Sequence, residues 1–396
     1  MESQINKKQS LDDLIKFLSI EGITGQEKNI AKSVEQDLLN AGIPKEYIAY
    51  DNADGKIPLP TEVGNLIVKL PGTIKSERIM FSCHMDTVPL CKGAVPLIKD
   101  NKIIPKGNTA LGGDNRTGVA SLVTMLKTLF LNNIPHLPIT VLFTVREESG
   151  LWGARKVEMK DLDSPKRGYN IDGGPVGEIV IGAVGCDRWE AEIFGKAEHA
   201  GLSPEKGISS TMIASLALAD AQKKGWFGKI DKNGKFGTSN VGIFGGKDGN
   251  SSGKSPNTVT DYTYIKGETR SYDQDFVSEI TDAYEKSFND VCNSYSNSEG
   301  DKPKLIFKRH TDYYSFNLDT SEKVISLAKE KLSTLGLDSK EVKISGGFDA
   351  NWLVKKDIPT ITYGAGHNLC HTVNEYIEIE DYYNACKLSL LLAQEG

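Results

Sequence analysis

The 396-residue sequence contains no uninterrupted apolar run near the roughly 20 residues that a membrane-spanning helix requires. Its opening stretch, MESQINKKQSLDDLIKF, lacks the apolar core of a signal peptide. Basic clusters are missing as well: Lys223–Lys224 and Lys355–Lys356 are isolated pairs in a chain of formal charge −6. A nucleic-acid grip needs clustered Lys and Arg to release counterions, so no nucleic-acid partner is expected, and no membrane partner either. The six cysteines are scattered and form no C-x-x-C pair. That argues against a disulfide framework or a thiolate zinc site, and for reduced thiols in the cytoplasm. A nucleotide-binding loop is also absent. Asp248-Gly-Asn-Ser-Ser-Gly-Lys-Ser255 resembles a Walker loop, but aspartate stands where its first glycine belongs, and a strand signal follows it.

What is present, 39% hydrophobic residues and 39 glycines, describes a globular chain with many turns and a length suited to two domains. Leu11, Leu14, Ile15 and Leu18 fall at helical spacing and predict an amphipathic helix over 10–20. Thr24-Gly-Gln-Glu27 has the pattern of a capping box, opening a second helix through Ile30, Val34, Leu38 and Leu39. Strand-like runs at 65–70, 78–82 and 139–144 accompany a buried helix over 117–131, an alternation that implies an α/β sheet covered on both faces. Beyond Val180 the texture changes. Strand patterns at 187–194, 237–244, 258–268 and 304–308 interleave with helices over 208–223 and 274–295, as in a small α+β layer. Helix and strand patterns resume from about 316, with a strand at 358–363 and a terminal helix over 381–394. The predicted organisation is one catalytic domain, 1–185 and 310–396, interrupted by an inserted lid, 186–309.

Five short stretches combine metal-ligand residue types with turn-forming glycines. In Phe81-Ser-Cys-His84-Met-Asp86, His84 and Asp86 point to one side of an extended chain. A metal-bound imidazole commonly gives its other N–H to a carboxylate, although His-x-Asp alone fits a structural role equally well. Leu111-Gly-Gly-Asp114-Asn-Arg-Thr-Gly118 alone reads as a capped helix start. Thr144-Val-Arg-Glu147-Glu148 ends an apolar strand on adjacent carboxylates, either a solvated pair or one metal ligand beside one proton carrier. Asn170-Ile-Asp172-Gly-Gly174 puts an acid at a strand-to-turn junction, and His367-Asn-Leu-Cys-His371-Thr-Val-Asn-Glu375 follows the strand at 358–363. The combination is more specific than its members. At the carboxyl ends of strands in an open α/β sheet these residues converge on the usual ligand crevice. Two histidines with three acids suit two zinc ions, or cobalt or manganese.

In order and spacing these stretches, together with His199-Ala-Gly and Gly346-Gly-Phe-Asp349-Ala, resemble the M20 family of dinuclear metallopeptidases over nearly the whole chain, most closely its peptidase T-like (tripeptidase) branch. The resemblance implies an α/β fold: a phosphorylase/hydrolase-like catalytic domain with a mixed sheet covered by helices, plus a ferredoxin-like α+β lid of the dimerisation type. It implies that Asp114 bridges two divalent metal ions, Zn2+ first among the candidates. His84 and Asp172 would complete one site, Glu148 and His371 the other. His367 is the rival of His371, whose Thr-x-Asn-Glu continuation fits the family pattern. Glu147 matches the general base and Asp86 the partner behind His84, and a cis peptide is implied between Asp114 and Asn115. From the lid, His199 would donate to the oxyanion, while Arg270 and Asn257 would hold the substrate's backbone or terminal carboxylate. Read alone, His199 is more often an ordinary loop histidine, and a strand-end surface charge is also a reasonable reading of Arg270. The implied activity is that of a dinuclear metallo-aminopeptidase, tripeptidase-like, cutting short peptides as a homodimer. An N-acyl-amino-acid deacylase or carboxypeptidase on the same scaffold is the main alternative, and an inactive peptide-binding relative the remaining one.

Overall fold

The computed structural model describes residues 4–394. They divide into two compact units: the described residues up to Ala183 together with those from Asn317, and Val184–Phe316.

In the first unit the apolar runs line up as a nine-stranded mixed sheet. Its middle is four parallel strands, in the order Ile139–Thr144, Ile79–His84, Arg167–Ile171 and Thr360–Tyr363. Every residue of these four is buried, as expected of strands covered on both faces. Leu66–Leu70, backed by Ile48–Tyr50, flanks one side antiparallel. Glu178–Ala183 flanks the other antiparallel, with Lys340–Ile344 parallel to it and the short Phe316–Asn317 at its outer side.

The helix Gly113–Leu131 packs on this sheet, and Gly118 sets how close it comes. A Cβ at Gly118 would lie 2.9 Å from both the Cys83 Cβ and the Ile171 carbonyl oxygen. Cys83 therefore faces the helix, away from its neighbour His84. Asp114 and Asn115 have non-helical φ/ψ, so the regular helix begins after them, and the bond between them is cis. A smaller four-stranded sheet contains Pro96–Lys99, Lys102–Pro105, Tyr376–Glu378 and His367–Asn368. The last two form an antiparallel hairpin whose tip is residues 369–375.

The amino-terminal helix spans Lys7–Leu18, capped by the Asn6 side chain on the Gln9 N–H. The second helix, Lys28–Asn40, corrects the expected capping box, because no side chain caps its start. The Thr24 hydroxyl donates instead to Ser149 Oγ at 2.9 Å. Glu27 Oε1 accepts the N–H groups of Gly25 and Arg146 at 2.7 and 3.0 Å. Buried backbone donors in a turn need an acceptor as much as a helix end does, and here the turn takes both side chains.

The second unit is an antiparallel sheet covered by two helices. Its elements run strand Gly185–Phe194, helix Ser210–Lys223, strands Lys235–Gly245 and Tyr262–Ser271, helix Gln274–Ser294 and strand Lys304–Tyr313. Tyr262–Ser271 and Lys304–Tyr313 flank Gly185–Phe194, and Lys235–Gly245 lies outside Tyr262–Ser271, which is the ferredoxin-like βαββαβ arrangement. A hairpin strand, Gly228–Lys232, is added at one edge. Trp189 is fully buried at the centre, stacked on Phe307 at 5.6 Å and packed on Tyr284, with Ile213, Ala217, Ile280 and Phe288 in the same core. Among the described residues no helix is long and apolar enough to cross a membrane.

Candidate active site

Each of the four parallel strands passes, at its carboxyl end, into a loop bearing candidate residues: Asp86 after Ile79–His84, Glu147 and Glu148 after Ile139–Thr144, Asp172 after Arg167–Ile171, and His367 and His371 after Thr360–Tyr363. This is where open α/β sheets gather ligands.

Asp114 is the meeting point. Its Oδ1 lies 2.9 Å from His84 Nε2 and its Oδ2 lies 3.3 Å from His371 Nε2. On the first side, His84 Nε2 is 3.7 Å from Asp172 Oδ2, and donor atoms of His84, Asp114 and Asp172 all fall within 4.8 Å of one another. On the second side, His371 Nε2 is 2.8 Å from Glu148 Oε1. Two further triplets meet the same distance limit: His84 with Glu147 and Glu148, and Asp114 with Cys370 and His371. His367 takes a different position. It is buried, with Nδ1 3.1 Å from the Thr117 hydroxyl and Nε2 3.9 Å from Asp172 Oδ1.

Behind His84, the Asp86 backbone carbonyl is 3.0 Å from Nδ1 and the Asp86 carboxylate 3.4 Å. Nδ1 therefore carries a proton, and Nε2 is the ring atom turned toward Asp114 and Asp172. The Asp86 carboxylate has a second task that residue types alone did not reveal. Its two oxygens accept the N–H groups of Glu147 and Glu148 at 3.0 and 3.2 Å. With Glu27 holding the Arg146 N–H, three successive amides of the acidic turn are gripped by two carboxylates. Arg146 itself is left-handed (φ 54°), which swings the two glutamates out of the strand direction.

Two more acids were visible in the motifs without a role. Glu375 is buried, and its carboxylate accepts the N–H groups of Leu111, Gly112 and Asp114 at 2.7, 2.9 and 3.0 Å. It fixes the loop that presents Asp114. Asp349 is buried and bonded to the hydroxyl of Thr144, the last residue of its strand. The position of Glu375, four residues after His371, was the signal available in the sequence.

The electrostatics test whether metal fits. Burial pushes the Glu147 and Asp172 carboxyls well above the usual range, with nearby acids adding to the effect. Burial likewise pushes Glu148 up to about 7 and Asp349 up to about 6. Burial also opposes the charge on Asp114, but the imidazoles of His367, His371 and His84 outweigh it and hold that carboxyl well below the usual range. Hydrogen bonds to Asp114 and Glu148 raise His371 to about 10. Acids crowded together out of water hold protons unless cations replace them, and oxygen and imidazole donors in this number suit two divalent ions.

The three expected substrate-contacting residues all belong to Val184–Phe316. His199 is exposed, with Nδ1 accepting the Gly201 N–H at 3.1 Å, and it bridges to Thr258. Asn257 is its neighbour across that bridge, its carbonyl accepting the Ala200 N–H at 2.9 Å. Arg270 is elsewhere. It lies near the far end of Tyr262–Ser271, about 27 Å along the strand at about 3.4 Å per residue, and is paired with Glu268 at 3.0 Å.

The profile of peptidase family M20/M25/M40 matches residues 80–395, and the chain belongs to that family. An uncharacterized protein of Bacillus subtilis (strain 168), YqjE, is 30% identical over 393 residues, covering 99% of each chain. The crystal structure of aminopeptidase PepT from Bacillus cereus ATCC 10987 is similar with a TM-score of 0.86 at 30% identity over 99% of both chains. That of a tripeptidase from Staphylococcus aureus subsp. aureus mu50 is similar with a TM-score of 0.85 at 28% identity, again over 99% of both.

Proposed function

We propose that this chain is a metal-dependent exopeptidase, an aminopeptidase that hydrolyses short peptides of about tripeptide size with two zinc ions. The observation that carries the reading is the two-sided contact of Asp114, one oxygen toward His84 and the other toward His371. The names of the relatives, an aminopeptidase and a tripeptidase, supply the substrate class.

In this reading His84, Asp114 and Asp172 hold one ion, and Asp114, Glu148 and His371 the other. Ions held there supply Lewis acidity and lower the pKa of water toward neutrality. Glu147 is the proton carrier. Its carboxylate stands 4.0 Å from the nearest imidazole nitrogen, whereas Glu148 is engaged by His371 at 2.8 Å. With cations in place of those protons, the free Oε of Glu147 would accept a proton from water and return it to the leaving amine. Asp86 keeps Glu147 in place through its backbone N–H. His199 as oxyanion donor, and Asn257 and Arg270 as substrate anchors, belong to the same proposal.

A homodimer is proposed as well. Ile243 and Phe244 are exposed on the part of Lys235–Gly245 that extends beyond its pairing with Gly228–Lys232, which is sheet edge of the kind that pairs between copies. Light scattering tests this. Six free thiols fit the reducing cytoplasm.

The decisive experiment supplies zinc, cobalt or manganese to chelator-stripped protein. The substrates are a tripeptide, its N-acetylated form, its C-terminal amide and an N-acyl amino acid. Metal-restored cleavage confined to substrates with a free amino terminus is expected. Cleavage of the blocked peptides would replace the aminopeptidase assignment with a deacylase or carboxypeptidase one.

A further inference from the structure

We propose that Cys370 is a thiolate ligand at the outer metal position, the one that Asp114 shares with His371. The inference rests on the dinuclear reading above and adds a sulfur donor to it.

The Cys370 Sγ, a carboxylate oxygen of Asp114 and a ring nitrogen of His371 lie within 4.8 Å of one another. Adjacent side chains of an extended chain point apart. Here Leu369 and His371 are both left-handed, with φ of 52° and 63°, and the turn they make directs side chains 370 and 371 toward the same carboxylate.

The chemistry follows from the donor. A thiol that binds a divalent metal gives up its proton, so each ion taken up there releases one proton from sulfur to water as the S–H bond is replaced by a metal–sulfur bond. Thiolate favours zinc, cobalt and other sulfur-seeking ions over manganese or magnesium. The inner group of His84, Asp114 and Asp172 offers only nitrogen and oxygen. The two positions therefore differ in metal preference, and the outer one selects zinc.

The test uses the full chain, stripped with chelator and titrated with cobalt(II). Near-ultraviolet absorption reads thiolate-to-cobalt charge transfer, while equilibrium dialysis counts bound cobalt. Two cobalt ions per chain are expected, one of them bringing the charge-transfer band. Cys370→Ser should lose the band, keep cobalt at the inner position and bind the other ion at least about tenfold more weakly, since even outer-shell changes cost roughly 10–100-fold. Two bound ions without a band in the unmodified protein would overturn the sulfur ligand and leave the dinuclear reading intact. So would a band that persists in a folded Cys370→Ser. Fewer than two bound cobalt ions would overturn the dinuclear reading and this inference with it. Should Cys370→Ser not fold, the unmodified protein's band and stoichiometry decide between these outcomes.

Discussion

The two sides of Asp114 are built differently. On the inner side His84 ends a central strand and Asp172 follows another, with side chains 2% and 6% exposed. On the outer side Glu148 sits on a tight turn and His371 on a hairpin tip, where its side chain is 47% exposed. Strand ends in a packed sheet hold their geometry without help. A site made of loops needs clasps, and the clasps are present: Asp86 and Glu27 on the acidic turn, Glu375 on the loop before Asp114. Rigid elements thus define the inner position, and hydrogen-bonded carboxylates the outer one.

The most drastic way to break this contrast is Asp114→Ala, which removes the oxygens both sides share. Both positions should lose metal and hydrolysis should fall to background. Elemental analysis after dialysis checks it, and one ion retained in full would refute the shared carboxylate. Next comes Glu147→Gln, which should lower turnover by about 10²–10⁴-fold while both ions stay. A near-normal rate would remove Glu147 as proton carrier.

A paired comparison sharpens the contrast further. His371→Ala should release only the outer ion and destabilise the metal-free protein less than loss of the inner histidine does, because its side chain is 47% exposed even though it pairs with Asp114 and Glu148. His84→Ala should release the inner ion and also destabilise the metal-free fold by about 2 kcal/mol or more, because it empties a buried site. Equal denaturation midpoints for the two variants would erase the distinction. The narrowest test, confined to one pH window and without effect on either metal, is Glu27→Gln. Burial raises the Glu27 carboxyl from 4.5 to about 7, so the fold favours the protonated acid. Its contribution to stability is full below about pH 4.5 and is lost as pH rises through about 7. Gln still accepts from Gly25 and Arg146 but does not titrate, so that decline should disappear from the unfolding free energy measured between those pH values. A variant curve parallel to the native one would show that Glu27 ionises as readily in the fold as in the unfolded chain.

Much of the inner position was readable before any coordinates. Ile139–Thr144 was identified to the residue, because six buried positions run without interruption between Pro138 and the acids that follow. Arg167–Ile171 and Lys340–Ile344 were not, since Arg, Gly and Lys break their apolar pattern and neighbouring strands decide their fate. The ligand-type residues stood out because all but one of their stretches sit just past a strand pattern. The outer position's supports were hidden for a different reason. Glu375 acts through backbone amides far away in sequence, and Glu27 reaches the distant Arg146 amide, and no spacing rule encodes that. Thr24 to Glu27 has the residues of a helix cap, and the same residues serve a turn equally well. Cys370 belongs to no cysteine pattern, and only the backbone twist at 369 and 371 brings it to Asp114.

The clasp from Glu375 to the Asp114 loop spans 261 positions of sequence. At ribosomal rates the stretch of roughly 200 residues from Asp172 to His371 takes about 10–40 seconds to make. Throughout that interval a growing chain carries the inner donors but neither the outer histidine nor the clasp. The centre can be completed only once residues 371 and 375 have been made, so its last parts are set apart from its first by most of the intervening chain.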